Sequence, residues 1–313
     1  MQRRSFVRVG QGIVCSLALA AASSVTVQAT TPAHGSVYIG IAYGSHRVYK
    51  VEYDYDGADT FTTGAPVLVA YTPGAAEFAI LPNRYLLVVG QGNMAKVKLP
   101  SGPVTTASPG NNANTVALDP DGVTAWAGWF DTALASIPLD PFGDGTVHTL
   151  SGDDQIATMI AFTPSDGAFY TNGGTIQYGF VGRIDLTTFH TTRLFAQSTE
   201  ATGIIYDPFS ATLVFAAFGI AHQIDPANPG VVLASRDDGA AGENYLALVP
   251  DGMGHLLATR YGGDAALVLI DYSASGRLDD VTTRYFAAPI PSLTGLSGGI
   301  AYDPVIFADG LDP

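Results

Sequence analysis

The sequence predicts an all-β protein, a six-bladed β-propeller, and three observations carry that prediction. First, one phrase recurs six times: a polar residue opens a short apolar run, a Pro-containing turn breaks it, and a second apolar run follows. The copies are EFAILPNRYLLVVG from Glu77, NTVALDPDGVTAWAG from Asn114, TMIAFTPSDGAFYTN from Thr158, TGIIYDPFSATLVFAA from Thr202, NYLALVPDGMGHLLAT from Asn244 and SGGIAYDPVIFADG from Ser297. Second, another strand ending in a turn recurs six times: KVEYDYDG from Lys50, KVKLPSG from Lys96, ASIPLDPFGDG from Ala135, GRIDLTTFH from Gly182, HQIDPANPG from His222 and VLIDYSASG from Val268. Third, charged residues make up only 13% of the chain while glycine is abundant at 36 residues. That composition belongs to a turn-rich β protein with a large interior.

The proline of each copy fixes the register: Pro82, Pro120, Pro164, Pro208, Pro250 and Pro304 stand 38, 44, 44, 42 and 54 residues apart. A period near forty, built from strand-length apolar runs without a helical stripe, is what stacked four-stranded units produce. Each run is Val/Ile/Phe/Tyr-rich and bounded by Gly, Pro, Asp or Asn, so it reads as strand. A proline just past the run ends the ladder without having to donate to it.

In chain order, residues 1–29 read as an export signal. Arg3 and Arg4 lead an apolar segment around Ile13 to Ala22, and Val27, Gln28 and Ala29 offer a cleavage site. RRSFVR is similar to the twin-arginine signal, with an ordinary secretory signal as the alternative; either places the mature protein in the periplasm or outside the cell. Gly10 and Gly12 cut the run short of a spanning helix, so no membrane association is expected once the signal is removed. Cys15, the one cysteine, lies inside this segment. The mature chain therefore has no disulfide, thiolate nucleophile, Cys-ligated iron–sulfur cluster or covalently attached haem.

Residues 30–313 read as a single propeller domain. Loss of Arg3, Arg4 and Arg8 takes the formal charge from −14 to −17. Such a surface repels phosphate backbones, so nucleic acid is not an expected partner. The blades are expected near 74–107, 112–150, 155–197, 201–236 and 243–288. A sixth is shared by the two ends: the C-terminal GGIAYDP pairs beside the N-terminal SVYIGIAY and leaves no open sheet edge. A seventh blade stays open if the 54-residue step or residues 55–73 hold another unit.

In a propeller the first strand of each blade lines the central channel. The residues that begin those strands, Glu77, Asn114, Thr158, Thr202, Asn244 and Ser297, all carry side-chain oxygens. Such a ring at a channel mouth suits Ca²⁺ or another divalent metal, which takes carboxylate, amide and water oxygens in loose geometry. The same residues equally serve to satisfy backbone amides where strands begin. Loops between second and third strands open on the same face. They bring His46 and His222 as candidate general bases, and Arg260 as a candidate bidentate clamp for a substrate carboxylate. The competing readings are hydrogen-bonded structural histidines and, for Arg260, an ion pair with Asp264 or Glu243. His148, His190 and His255 show no partner pattern. No GxSxG, HExxH, CxxCH or phosphate-binding glycine loop occurs.

NTVALDPDGVTAWAG resembles the stretch of senescence-marker-protein/gluconolactonase propellers in which an Asn-Asp pair precedes a D-P-x-G turn and an aromatic-Ala-Gly strand. AEFAILPNRYLLVV is similar to their early Glu-Gly-Pro segment. The resemblance implies six blades, a divalent metal at the channel mouth held by Glu77 and Asn114, and hydrolysis of lactones or related esters. Thr115, Thr158 and Thr202 stand where that family carries Asp, Asn and its catalytic Asp. Two functions follow as expectations. One is an exported, metal-assisted hydrolase or lyase acting on a small ester, lactone or sugar-derived substrate. The other is a non-catalytic propeller that presents its loop face to a partner protein or glycan.

Overall fold

The computed structural model describes residues 30–41, 46–128, 132–153, 159–165, 167–171, 179–197, 203–217, 219–238, 245–260, 264–294 and 299–303. Among these residues all regular structure is strand, arranged as the six blades of a β-propeller. From innermost to outermost, the second blade is Glu77–Leu81, Tyr85–Gly90, Asn93–Lys98 and Val104–Ala107, and the third is Thr115–Leu118, Thr124–Gly128, Ala133–Pro138 and Thr146–Thr149. The fourth runs Met159–Thr163, Gly167–Thr171, Gly179–Asp185 and His190–Gln197, and the fifth Gly203–Asp207, Thr212–Ala217, Ile220–Ile224 and Val232–Asp237. Tyr245–Pro250, His255–Arg260, Asp264–Asp271 and Arg284–Thr294 make the sixth.

The first blade closes the ring as the sequence predicts. Its inner strand is the C-terminal Ile300–Asp303, paired antiparallel with Ala33–Gly40 so that Ser36 faces Asp303, Val37 Tyr302, Tyr38 Ala301 and Ile39 Ile300. The Tyr38 hydroxyl donates to Asp303 Oδ2 at 3.1 Å, a buried bond that ties the two ends of the chain together. Arg47–Tyr55 follows, and two short strands, Phe61–Thr63 and Val67–Tyr71, share its outer edge. Residues 55–73 therefore hold no extra blade. The long 54-residue step is likewise accounted for, by turns over 272–283 and an outer strand of 11 residues, Arg284–Thr294.

Local chemistry sets the turns. Gln91 and Gly92 both have positive φ, 54° and 70°, in the two-residue link between the second and third strands of the second blade. A mirror-image turn of this kind matches the twist of its flanking strands. The Asp-Pro turns bind themselves: Asp121 Oδ1 accepts the Val123 and Thr124 amides at 2.8 and 2.9 Å, and Asp207 accepts those of Phe209 and Ser210 at 3.1 and 3.0 Å. Carboxylates spent this way are structural.

The core lies between blades. Six apolar clusters each fill one seam; that between the sixth and first blades holds Val37, Val51, Tyr55, Leu257, Leu267 and Leu269, all without solvent exposure. Each such side chain stabilises the fold by about 1.5–3 kcal/mol on burial. Since every blade packs on two neighbours, the six inner strands are drawn into a ring with an open axis.

Candidate functional site

That axis is a cavity of about 710 Å³ walled by all six inner strands. Three residues before each proline of the repeat comes Ala79, Ala117, Ala161, Ile205, Ala247 or Ala301, and all six line the cavity. Alanine at five of six equivalent positions keeps the axis open where larger side chains would fill it. One step on, Ile80, Leu118, Phe162, Tyr206, Leu248 and Tyr302 also line it, so the wall is mainly apolar and aromatic. Among the described residues charged groups line it only toward its two ends, with Glu77 at the mouth and Arg84 with Asp303 at the base.

Glu77 begins its strand opposite Val89, and its position is fixed from both sides. The Ala76 amide donates to the Val89 carbonyl at 2.9 Å. Gly299, leading into the closing strand, passes so near that a Cβ there would stand 2.4 Å from Glu77 Cα and 2.8 Å from the Ala76 oxygen. Burial raises the Glu77 carboxyl from its ordinary 4.5 to about 8, and the Phe78 amide, donating to Oε1 at 3.3 Å, offsets this only in part. A carboxyl held neutral at pH 7 is a hydrogen-bond and proton donor facing an apolar cavity.

Of the nominated residues that are described, Glu77 alone lines the cavity. Asn114 lies just before the inner strand of the third blade, buried, with its side-chain Oδ1 accepting the Gln91 amide and its backbone amide donating to the Gly128 carbonyl at 3.0 Å. His46 lies on the mouth face, just before Arg47–Tyr55. Its backbone is left-handed (φ 49°), its carbonyl accepts the Thr72 amide, and its buried Nδ1 has no hydrogen-bond partner among the described residues. Arg260 ends the second strand of the sixth blade, paired with Tyr245 at the start of the inner strand, on the mouth face but outside the cavity wall. His222 is not brought to the mouth. It lies within its strand, with Nδ1 2.7 Å from Ser235 Oγ and its ring stacked on Phe215 at 4.7 Å; burial lowers its pKa, against the charge of Asp237. Thr158, Thr202, Asn244 and Ser297 lie outside the described residues.

The fit to a metal ion can be tested on these groups. Glu77 brings one carboxylate to the mouth and Asn114 an amide oxygen that already holds the Gln91 amide. Among the described residues no group of three or more His, Cys, Asp or Glu side chains converges as metal ligands would. Ca²⁺ takes six to eight oxygens, which these two residues do not supply.

Two features escaped the sequence. Arg84, in the hairpin after the second blade's inner strand, lines the base of the cavity with Nη2 3.7 Å from Asp303 Oδ2. His255 does have partners: it is fully buried, with Nδ1 2.6 Å from Asp251 Oδ2 and Nε2 3.6 Å from Asp271 Oδ1, and Tyr55 donates to Asp271 at 2.6 Å. The clue to Arg84 was the repeat itself, since it occupies the turn position that Gly122 and Gly252 fill in other blades. For His255 it was the spacing Asp251-x-x-x-His255 across a glycine turn.

No protein-family model and no curated protein matches the chain. Solved structures do. A catalytically inactive variant of virginiamycin B lyase from Staphylococcus aureus, with quinupristin, is 13% identical with a TM-score of 0.56, covering 89% of this chain and 94% of that one. Hydrazine synthase of Kuenenia stuttgartiensis is 14% identical (TM-score 0.53, 72% and 69% covered). Regucalcin from Agrobacterium tumefaciens, described as a calcium-binding protein, is 15% identical (TM-score 0.52, 69% and 75% covered). At these identities the likeness shows the fold alone, a propeller whose relatives in shape include a lyase and a calcium-binding protein.

Proposed function

We propose that this chain is an exported propeller that binds a small, largely apolar ester, lactone or sugar-derived substrate in its central channel and acts on it as a hydrolase or lyase, with Glu77 as the group that moves the proton. The observation that carries this reading is Glu77 itself: a carboxyl on the wall of a cavity of substrate size, raised to about 8. At neutral pH it is protonated and donates to a carbonyl or leaving-group oxygen placed at the mouth. Once ionised, it accepts a proton from water or from the substrate carbon. The apolar wall disfavours the charged form and so keeps the proton on Glu77 at neutral pH. Export rests on the Arg3-Arg4 leader and the lack of cysteine beyond it.

A second reading makes Glu77 and Asn114 ligands of Ca²⁺. It is supported by the place of both residues at the entry to inner strands of neighbouring blades and by the regucalcin likeness.

The test is turnover of a panel of lactones and aryl esters by wild type and Glu77→Gln, with thermal melts after chelation and with added Ca²⁺. The proton-transfer reading expects turnover lost in Glu77→Gln and a melting midpoint indifferent to Ca²⁺. A midpoint raised by Ca²⁺ in wild type and not in Glu77→Gln or Asn114→Ala supports the metal reading. Absence of turnover on the whole panel counts for a non-catalytic propeller that binds a protein or glycan partner.

A further inference from the structure

Arg84 is costly where it stands. It follows Pro82 by two residues, as Gly122 follows Pro120 and Gly252 follows Pro250. All three have a left-handed backbone, with φ of 61°, 71° and 78°. Glycine takes that conformation freely, whereas a side chain takes it at a cost, and such cost gathers where function demands a particular residue. The turn is held by backbone alone, the Arg84 amide donating to the Leu81 carbonyl at 3.1 Å and its carbonyl accepting the Leu99 amide at 3.0 Å. Nothing in the turn needs the guanidinium.

The guanidinium is also largely unspent. Among the described residues it makes no hydrogen bond, only the ion pair with Asp303 at 3.7 Å, and its side chain is 42% exposed. Arg277, by contrast, grips Asp279 through two nitrogens at 3.0 Å and the Leu233 carbonyl at 2.7 Å. Arg84 therefore presents its fork of donors at the base of an apolar cavity, in a chain where acids outnumber bases 28 to 14. A planar fork with free donors binds a carboxylate in bidentate fashion.

From these observations we infer that the base of the channel is a carboxylate subsite centred on Arg84, and that the channel takes an elongated molecule with an apolar body and a terminal carboxylate. The strand Glu77–Leu81 separates the two ends by roughly 13 Å, four steps of about 3.3 Å each. That span matches a medium-length acyl or aryl chain whose carboxylate rests at Arg84 and whose other end reaches Glu77. The inference uses the cavity of the proposed function but concerns binding only, so it stands or falls apart from proton transfer at Glu77.

The probe is octanoate against octan-1-ol, which share chain length and differ in head-group charge, titrated calorimetrically at pH 7 into wild type, Arg84→Gly, Arg84→Gln and Glu77→Gln. Octanoate is expected to bind wild type about tenfold or more tightly than octan-1-ol, the scale of a charge-assisted bond. Both Arg84 variants are expected to erase that preference and leave octan-1-ol affinity unchanged, while Glu77→Gln keeps it. Arg84→Gly is expected to melt no lower than wild type. Equal affinity for the two probes in wild type overturns the inference, as does a preference that survives in the Arg84 variants. A preference lost in Glu77→Gln places the carboxylate at the wrong end, and an Arg84→Gly midpoint clearly below wild type assigns the arginine to structure; either result also overturns it.

Discussion

His255 Nδ1 lies 2.6 Å from Asp251 Oδ2, four residues before it, and neither side chain has any solvent exposure. The pair anchors the seam where the last blade meets the first, with Asp271 and Tyr55 completing the network. Burial disfavours the imidazolium, but the Asp251 hydrogen bond and the charges of Asp251 and Asp271 outweigh it, so the His255 pKa is raised above 6.5.

A group whose pKa is higher folded than unfolded contributes stability that is full below its unfolded value and lost as pH rises through its folded one. His255→Ala should therefore cost about 3–5 kcal/mol at pH 6, the scale for breaking a buried pair. The gap to wild type should narrow at pH 9. Urea melts at the two pH values measure it.

Glu77 has the opposite consequence. Its carboxyl binds more protons folded than unfolded between 4.5 and about 8, so it lowers stability progressively as pH rises through that window. Glu77→Gln removes this dependence. The variant should match wild type near pH 4.5 and exceed it at pH 9 by up to roughly 5 kcal/mol, seen as a melting midpoint that diverges with pH.

Gly299→Ala tests how the ring closes. Its Cβ would stand 2.4 Å from Glu77 Cα and 2.8 Å from the Ala76 oxygen, both backbone. Neither atom yields without shifting the inner strand of the second blade. The variant should lose about 1–3 kcal/mol and displace the Glu77 amide resonance, whereas Gly122→Ala, whose Cβ meets nothing within 4 Å, should leave that resonance in place.

Leu267 is fully buried in the seam of the sixth and first blades. Leu267→Ala should cost about 2–5 kcal/mol. Because this seam holds the closing blade, Ser36 and Ile39 amides should lose hydrogen-exchange protection along with those of the sixth blade.

The fold was legible because its units repeat. A strand that must stop at a fixed distance along each blade leaves a proline at that distance, and six prolines counted six blades. The outer edge of the first blade was harder to read: Phe61–Thr63 and Val67–Tyr71 divide one strand's role between two short pieces, broken by Gly64, Ala65 and Pro66. The site was legible only where position along the repeat decides it. Glu77 begins an inner strand, so its place on the channel followed from register. His222 was misplaced because a third-strand residue reaches the mouth only at the very start of its strand, and His222 is flanked there by Ile220 and Ala221. Arg84 and His255 left only local clues, a repeat position and the Asp251 spacing; their contacts with Asp303 and Asp271 join residues far apart in the chain or across a hairpin and have no short-range signature in sequence.

Proton transfer at the channel mouth is tested most directly by titrating the Glu77 carboxyl, followed by carbon-13 NMR on protein labelled at glutamate δ-carbons and assigned by its loss in Glu77→Gln. A midpoint near 8 is expected, displaced on adding octan-1-ol to the channel. A midpoint between 4 and 5, the ordinary glutamate range, would mean that Glu77 is ionised and solvated at neutral pH, and the channel would have no acid to offer.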